Sequence, residues 1–250
     1  MMSAGEREQS TQPEKSLLWH DLECGAYEAD LDTWERLAAE TGGPVLDIGC
    51  GTGRVSLHLA ALGHRVVGVD RDQGFVASFN ERAEGLPAEA VAADAGDFDL
   101  DQRFGLVLAP MQLVQLLGGP DQRIGCMARV AGHLLPGGLA ALAIVEGIIP
   151  APDDGPPLPD AREIDGWVYS SLPLVTAFDG DLIVVRRLRQ TVAPGGELSE
   201  EIDEVALWAL SAPQLEEEAR AAGLNPVGVE EVAASDDHIG STVVLLERSS

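Results

Sequence analysis

Residues 45 to 53 read Val-Leu-Asp-Ile-Gly-Cys-Gly-Thr-Gly, and a second apolar run, Val66-Val67-Gly68-Val69, ends in an acid, Asp70. Glycines placed directly after an apolar strand let a ligand approach the backbone, and the start of the helix that follows is electropositive. An acid at the end of the next strand can accept hydrogen bonds from ribose hydroxyls. These residue types together make a slot for an adenosine-containing ligand. A dinucleotide turn needs Gly-x-Gly-x-x-Gly, and Arg54 stands where its third glycine should be. Counting from Gly51 puts Ser56 there instead. A nicotinamide oxidoreductase is therefore disfavoured, and so is a nucleotide triphosphatase, since the sequence has no Gly-x-x-x-x-Gly-Lys-Ser/Thr.

Alternating strands and helices must position this slot. Helical spacing over Glu28–Thr41 is stopped by Gly42-Gly43, and strand Val45–Ile48, helix Arg54–Leu62, strand Arg65–Val69 and a helix from about Gln73 to Ala83 follow. A third strand ends at Ala93, a fourth runs Phe104–Ala109, and a fifth runs Leu139–Val145 after Pro136-Gly137-Gly138. This rhythm predicts an α/β fold with a doubly wound, Rossmann-like, mostly parallel sheet. Prolines at 150, 152, 156, 157 and 159 then break it. Strand-like runs at Gly166–Leu172, Leu182–Val192 and Ile202–Leu210 predict an inserted three-stranded antiparallel flap, a lid of about residues 150–210. Helix Pro213–Ala222 and strands Pro226–Val232 and Ser241–Glu247 complete a seven-stranded sheet with an antiparallel closing hairpin. Residues 1–16 are expected to be a disordered tail and 17–250 a single domain.

The formal charge is −26, and Lys15 is the sole lysine. Such a field repels phosphate backbones and anionic membranes, so no nucleic acid or membrane partner is expected. Cys24, Cys50 and Cys126 make no Cys-x-x-Cys pattern, so neither a disulfide framework nor a metal site is expected, and a cytoplasmic protein fits. The oligomeric state is open.

The chain resembles the class I S-adenosylmethionine-dependent methyltransferases. The residues that carry the likeness are the nine-residue glycine stretch, Val69-Asp70, Ala93-Asp94, and Leu134-Leu135-Pro136-Gly137-Gly138 before strand five. The resemblance implies S-adenosyl-L-methionine as cofactor and gives roles to particular residues. Asp47 would orient the turn and meet the methionine ammonium, with the backbone at Gly49, Cys50 and Gly51 along the homocysteine part. Asp70 would accept from the ribose hydroxyls. Asp94 would accept from the adenine amino group, with the Ala95 N–H on a ring nitrogen and Arg71 along the adenine face. Ala109 to Leu113 would close the methionine end, and Tyr27 could touch the cofactor carboxylate.

Nucleic-acid amino methyltransferases of this fold carry Asn/Asp-Pro-Pro-aromatic after strand four, where this chain has Ala109-Pro110-Met111-Gln112. A small-molecule acceptor is therefore expected, methylated on O, N or C. The alternative is a protein that binds the cofactor without transferring its methyl group, as a cyclase-like scaffold or a binding partner. Methyl transfer needs alignment more than a base, so no catalytic residue is fixed by the sequence. Candidates are His20 in Trp19-His20-Asp21, Glu146 after strand five, and His238 between the closing strands. Arg186, Arg187 and Arg189 either grip an acidic acceptor or pair across strands with Glu200, Glu201, Asp203 and Glu204.

Overall fold

The computed structural model describes residues 12–146, 158–234 and 239–248. Helices α1 (Gln12–Cys24) and α2 (Leu31–Thr41) precede the alternating region. That region runs β1 (Val45–Ile48), α3 (Arg54–Ala61), β2 (Val66–Asp70), α4 (Gln73–Arg82), β3 (Ala88–Ala92) and β4 (Phe104–Ala109). It continues through α5 (Leu113–Leu116) and α6 (Pro120–His133) to β5 (Leu134–Ile144). After the insertion come α7 (Ala212–Ala221), β10 (Leu224–Val232) and β11 (Ser241–Arg248). The seven strands lie in the order β10-β11-β5-β4-β1-β2-β3. β1 pairs in parallel with β2 and β4, and β11 runs antiparallel to both β5 and β10.

Side-chain alternation sorts the core onto the two faces of this sheet. Leu46 and Ile48 of β1 join Met127 and Val130 of α6 and Leu215 and Ala219 of α7. Val45 turns the other way, to Trp34 and Leu37 of α2 and Val55 and Leu59 of α3. By the same alternation Asp47 faces α3. Strand order reverses between β1 and β4, so the crevice beyond their carboxyl ends is where an open α/β sheet binds ligands.

The inserted region is a separate antiparallel sheet, β6 (Asp160–Ile164), β7 (Trp167–Asp179), β8 (Leu182–Val192) and β9 (Leu198–Trp208), in that order. It therefore has four strands where the sequence suggested three. The extra strand, Asp-Ala-Arg-Glu-Ile, is mostly exposed and polar and directly follows the prolines, so it carries no apolar pattern. Residues 150–157 of the expected lid lie outside the described residues. Residues 12–16, assigned from the sequence to the tail, are the first turn of α1.

One glycine sets the tightest contact in the sheet's frame. A Cβ on Gly105, at the start of β4, would stand 1.8 Å from the Gly42 carbonyl oxygen, and the Gly105 N–H donates to the Pro44 carbonyl. Gly105→Ala must push the α2–β1 loop off the sheet. We expect it to cost about 3 kcal/mol, measured as a lower urea midpoint. An unchanged midpoint would mean that the loop shifts freely.

Candidate functional site

The site begins where β1 runs out. The Gly49 and Cys50 N–H groups both donate to the Val69 carbonyl, at 2.7 and 3.1 Å, which fastens the turn to the end of β2. Asp70 fastens it a second time: its Oδ2 accepts from Gly51 N–H and its Oδ1 from Asp72 N–H, each at 2.9 Å. Asp70 lies opposite Ala92 in the parallel register, so Asp94 follows two residues on, at the end of the neighbouring strand. Asp94 is exposed and accepts from Gly96 N–H at 2.8 Å, while Ala95 is half-buried beside it. Arg71 is exposed next to Asp70.

Asp47 is 1% exposed. Its Oδ2 accepts the Ser56 hydroxyl of α3 at 2.7 Å, but its Oδ1 has no hydrogen-bond partner among the described residues. Burial pushes its carboxyl up to about 7 against the lowering effect of the Ser56 bond, and the charges of Asp70 and Asp30 add to the rise. An orphaned oxygen of this kind is costly unless a donor or cation meets it. The methionine ammonium of S-adenosylmethionine is such a donor, so the residues present fit the cofactor that the motifs imply.

Gly49 and Gly51 both have left-handed backbone, with φ of 70° and 54°. The space a side chain would take at each is already held by the protein. A Cβ on Gly49 would lie 2.7 Å from Leu113 Cδ1, and one on Gly51 would lie 2.5 Å from His20 Nε2. At these glycines the backbone is approached by protein side chains. Cys50 packs in the same way, filling the space above Gly68, and burial holds its thiol far above the usual range. It is a packing residue, not a nucleophile.

The β4 end is strained. Ala109 is buried, and Met111 and Gln112 after it both have positive φ, 49° and 61°. Two consecutive non-glycine residues in this region cost roughly 1–2 kcal/mol each. Gln115, fully buried in α5, holds the turn: its Nε2 donates to the Val145 and Trp208 carbonyls, and its Oε1 accepts from Val145 N–H. No local pattern marks this glutamine's role, because its partners are backbone groups far along the chain.

Helix α1 lies across the glycine turn. The His20 ring sits against Gly51 and 4.5 Å from the Phe75 ring, with a buried Nδ1 that has no hydrogen-bond partner among the described residues. Asp21 Oδ1 stands 3.9 Å from that Nδ1, accepts the Thr52 hydroxyl at 2.7 Å, and is ion-paired with Arg82. Tyr27 is buried beneath the Arg54 guanidinium, 5.1 Å from its ring centre, and Arg54 in turn grips Asp30 at 2.6 and 2.8 Å. Glu146 is placed elsewhere: its Oε1 accepts from Ala212 N–H at the start of α7 and its Oε2 from the Thr242 hydroxyl at 3.3 Å. That is helix capping. His238 lies outside the described residues. The structure therefore brings His20, Asp47, Gly49, Gly51 and Asp70 together, and sets Glu146 at a helix start.

Comparisons with known proteins bear on the family and the fold. Residues 45–138 match the family described as a methyltransferase domain. A cypemycin N-terminal methyltransferase from a Streptomyces species is 29% identical over 210 residues, 83% of this chain and 84% of that protein. A carboxy-S-adenosyl-L-methionine synthase from Pseudomonas aeruginosa is 31% identical over 117 residues, 42% of this chain and 46% of that protein. Among solved structures, the sugar N-methyltransferase KedS8 from Streptoalloteichus superposes with a TM-score of 0.73 at 19% identity, covering 100% of this chain and 98% of that one. Its likeness is one of fold.

Proposed function

We propose, from the premise that this chain is a class I S-adenosylmethionine-dependent methyltransferase, that it methylates an amine nitrogen of a small-molecule acceptor. The observation that carries the amine is the 210-residue likeness to a relative named for N-terminal methylation. That length exceeds the cofactor-binding half and extends into the lid. The net charge of −26 supports it, since an acidic surface attracts a cationic amine and repels nucleic acid. The carboxy-S-adenosyl-L-methionine synthase likeness spans 117 residues only, 42% of this chain.

When bound, S-adenosylmethionine would supply a methyl group on a sulfonium: the acceptor nitrogen's lone pair would form the N–C bond as the C–S bond breaks, with S-adenosylhomocysteine as the leaving group. The chain's own residues align the partners. Asp70 would hold the ribose hydroxyls, Asp94 and the Ala95 N–H would hold adenine with Arg71 along its face, and Asp47 would hold the ammonium. The turn Gly49–Gly51 and Ala109 would flank the methionine end, with Tyr27 on the carboxylate side. An amine reaches neutral solution protonated, so a base is useful. We assign that role to His20, whose buried Nδ1 has no hydrogen-bond partner among the described residues and lies beside Asp21. Among the described residues no helix is long and apolar enough to cross a membrane. The free thiols Cys24, Cys50 and Cys126 suit a reducing cytoplasm.

The test supplies methyl-labelled S-adenosylmethionine with a panel of amino sugars and short peptides bearing a free amine, beside hydroxyl-only analogues. Label is expected on nitrogen. Label confined to oxygen would overturn the acceptor class, and cofactor binding with no labelled product would favour a non-transferring protein.

A further inference from the structure

The arginines of the lid reach beyond their own sheet. Arg189 of β8 makes a two-point bridge to Glu23 of α1, Nε to Oε1 at 2.7 Å and Nη2 to Oε2 at 2.8 Å. The Ser171 hydroxyl of β7 donates to the same Oε1 at 2.7 Å, and Arg187 Nε stands 3.6 Å from it. Arg189 then continues to Asp203 of β9 at 2.7 Å, and Arg187 to Asp160 of β6. Strands β7 and β8 thus meet on one carboxylate, and β9 and β6 are tied to it through the two arginines. Glu23 is 12% exposed at its side chain and Arg189 17%.

Glu23 shares its face of α1 with Trp19, one helical turn earlier. Trp19 lies under the Arg189 guanidinium, 5.3 Å away, and meets Tyr169 of β7 edge-on at 5.9 Å. The other face of the same helix carries His20 against Gly51 and Asp21 on Thr52 and Arg82. One short helix therefore touches the cofactor turn on one side and the lid on the other. A two-point guanidinium–carboxylate bridge fixes orientation where apolar packing would let the helix slide.

We propose that Glu23 is a positioning residue that locks α1 to the lid and so holds His20 and Asp21 over the cofactor turn, coupling lid placement to cofactor binding. The proposal rests on the cofactor reading above. Its distinguishing consequence is that Arg189, which stands on the lid and touches no part of the glycine turn, affects cofactor affinity through Glu23. Burial alone would raise the Glu23 carboxyl, but the bonds from Arg189 and Ser171 outweigh it and hold the group ionised.

The experiment measures S-adenosylhomocysteine binding by calorimetry and amide hydrogen exchange along α1, in the full chain and in Glu23→Gln, Glu23→Asp, Arg189→Gln and the Glu23→Gln/Arg189→Gln double variant. Glu23→Gln and Arg189→Gln should each weaken binding roughly tenfold and speed exchange over residues 17–24. The double variant should be no worse than the poorer single one, as expected for two halves of one contact. Glu23→Asp should recover part of the loss. Protected exchange at β1 and β4 amides shows that each variant is folded, and the lid-side Arg189→Gln tests the same link if Glu23→Gln is not. Faster α1 exchange with unchanged affinity would overturn the proposal, leaving Glu23 a structural tie only, and so would tighter binding. An unmutated chain that binds no S-adenosylhomocysteine would bring down the cofactor reading instead, and this proposal with it.

Discussion

Asp70→Ala should weaken S-adenosylhomocysteine binding by at least about a hundredfold, the largest loss expected from any single side chain of the site. The two Asp70 oxygens already accept from Gly51 and Asp72 N–H, yet each keeps a free lone pair, so both can also take a ribose hydroxyl. Hydrogen bonds to a charged group contribute about 1.5–3 kcal/mol each. Two lost to the ligand account for the hundredfold. The loss of the Gly51 bond adds to it, because the turn then has less to hold it against β2. Calorimetric titration reads the effect directly. Asp94→Ala should cost much less, about tenfold, because its carboxylate is exposed and, among the described residues, bonded only to Gly96 N–H. Comparable losses at the two positions would mean that the acids do not divide between ribose and adenine as assigned. An Asp70→Ala protein that binds like the unmutated chain would refute the assignment.

Much of the cofactor half was legible because its central strands are buried on both sides and read as apolar runs, interrupted in β1 by Asp47. Val45–Ile48 and Phe104–Ala109 begin and end as the pattern predicts, and the β2 prediction differs by a residue at each end. The closing pair was placed to within two residues, β11 by its largely buried apolar run and β10 by its alternation of covered and exposed positions. Helix α1 was not. Its only buried side chains among residues 15–24 are Trp19 and Leu22, so it carries no apolar stripe, and its position comes from ion pairs. The partner of Glu23 lies 166 residues away, a separation at which no local pattern informs. The arginine cluster shows both cases at once. Arg186–Glu204 and Arg189–Asp203 are the cross-strand pairs that alternation suggested, whereas Glu23 on the same cluster follows from the fold alone. At Gly49 and Gly51 the residue type was read as room for a ligand. The space at those two atoms belongs to Leu113 and His20.

The second large effect concerns Asp47 and has opposite signs for binding and stability. Its carboxyl is pushed up to about 7 by burial, above the 3.8 of an exposed aspartate. Between those values the folded chain holds a proton that the unfolded chain has released, so stability falls as pH rises through that window, and the full cost of the buried charge is present above it. A cationic ammonium at the orphaned Oδ1 needs the ionised form. Below about pH 7 each ligand therefore displaces a proton, and affinity for S-adenosylhomocysteine should rise up to tenfold per unit from about pH 5.5 toward 7, then level off. Asp47→Asn keeps the shape and the Ser56 partner but removes the charge. It should abolish this pH dependence and weaken binding roughly thirtyfold at pH 7.5, the loss of one charge-assisted bond. The unliganded variant should nonetheless melt about 3 °C higher at that pH, because no charge is left in the core. Calorimetry across pH and thermal unfolding at one pH measure the two halves. Binding that keeps its pH slope in Asp47→Asn would place the titrating group elsewhere, and a variant that is both weaker-binding and less stable would show that Asp47 is held for packing and not for a ligand.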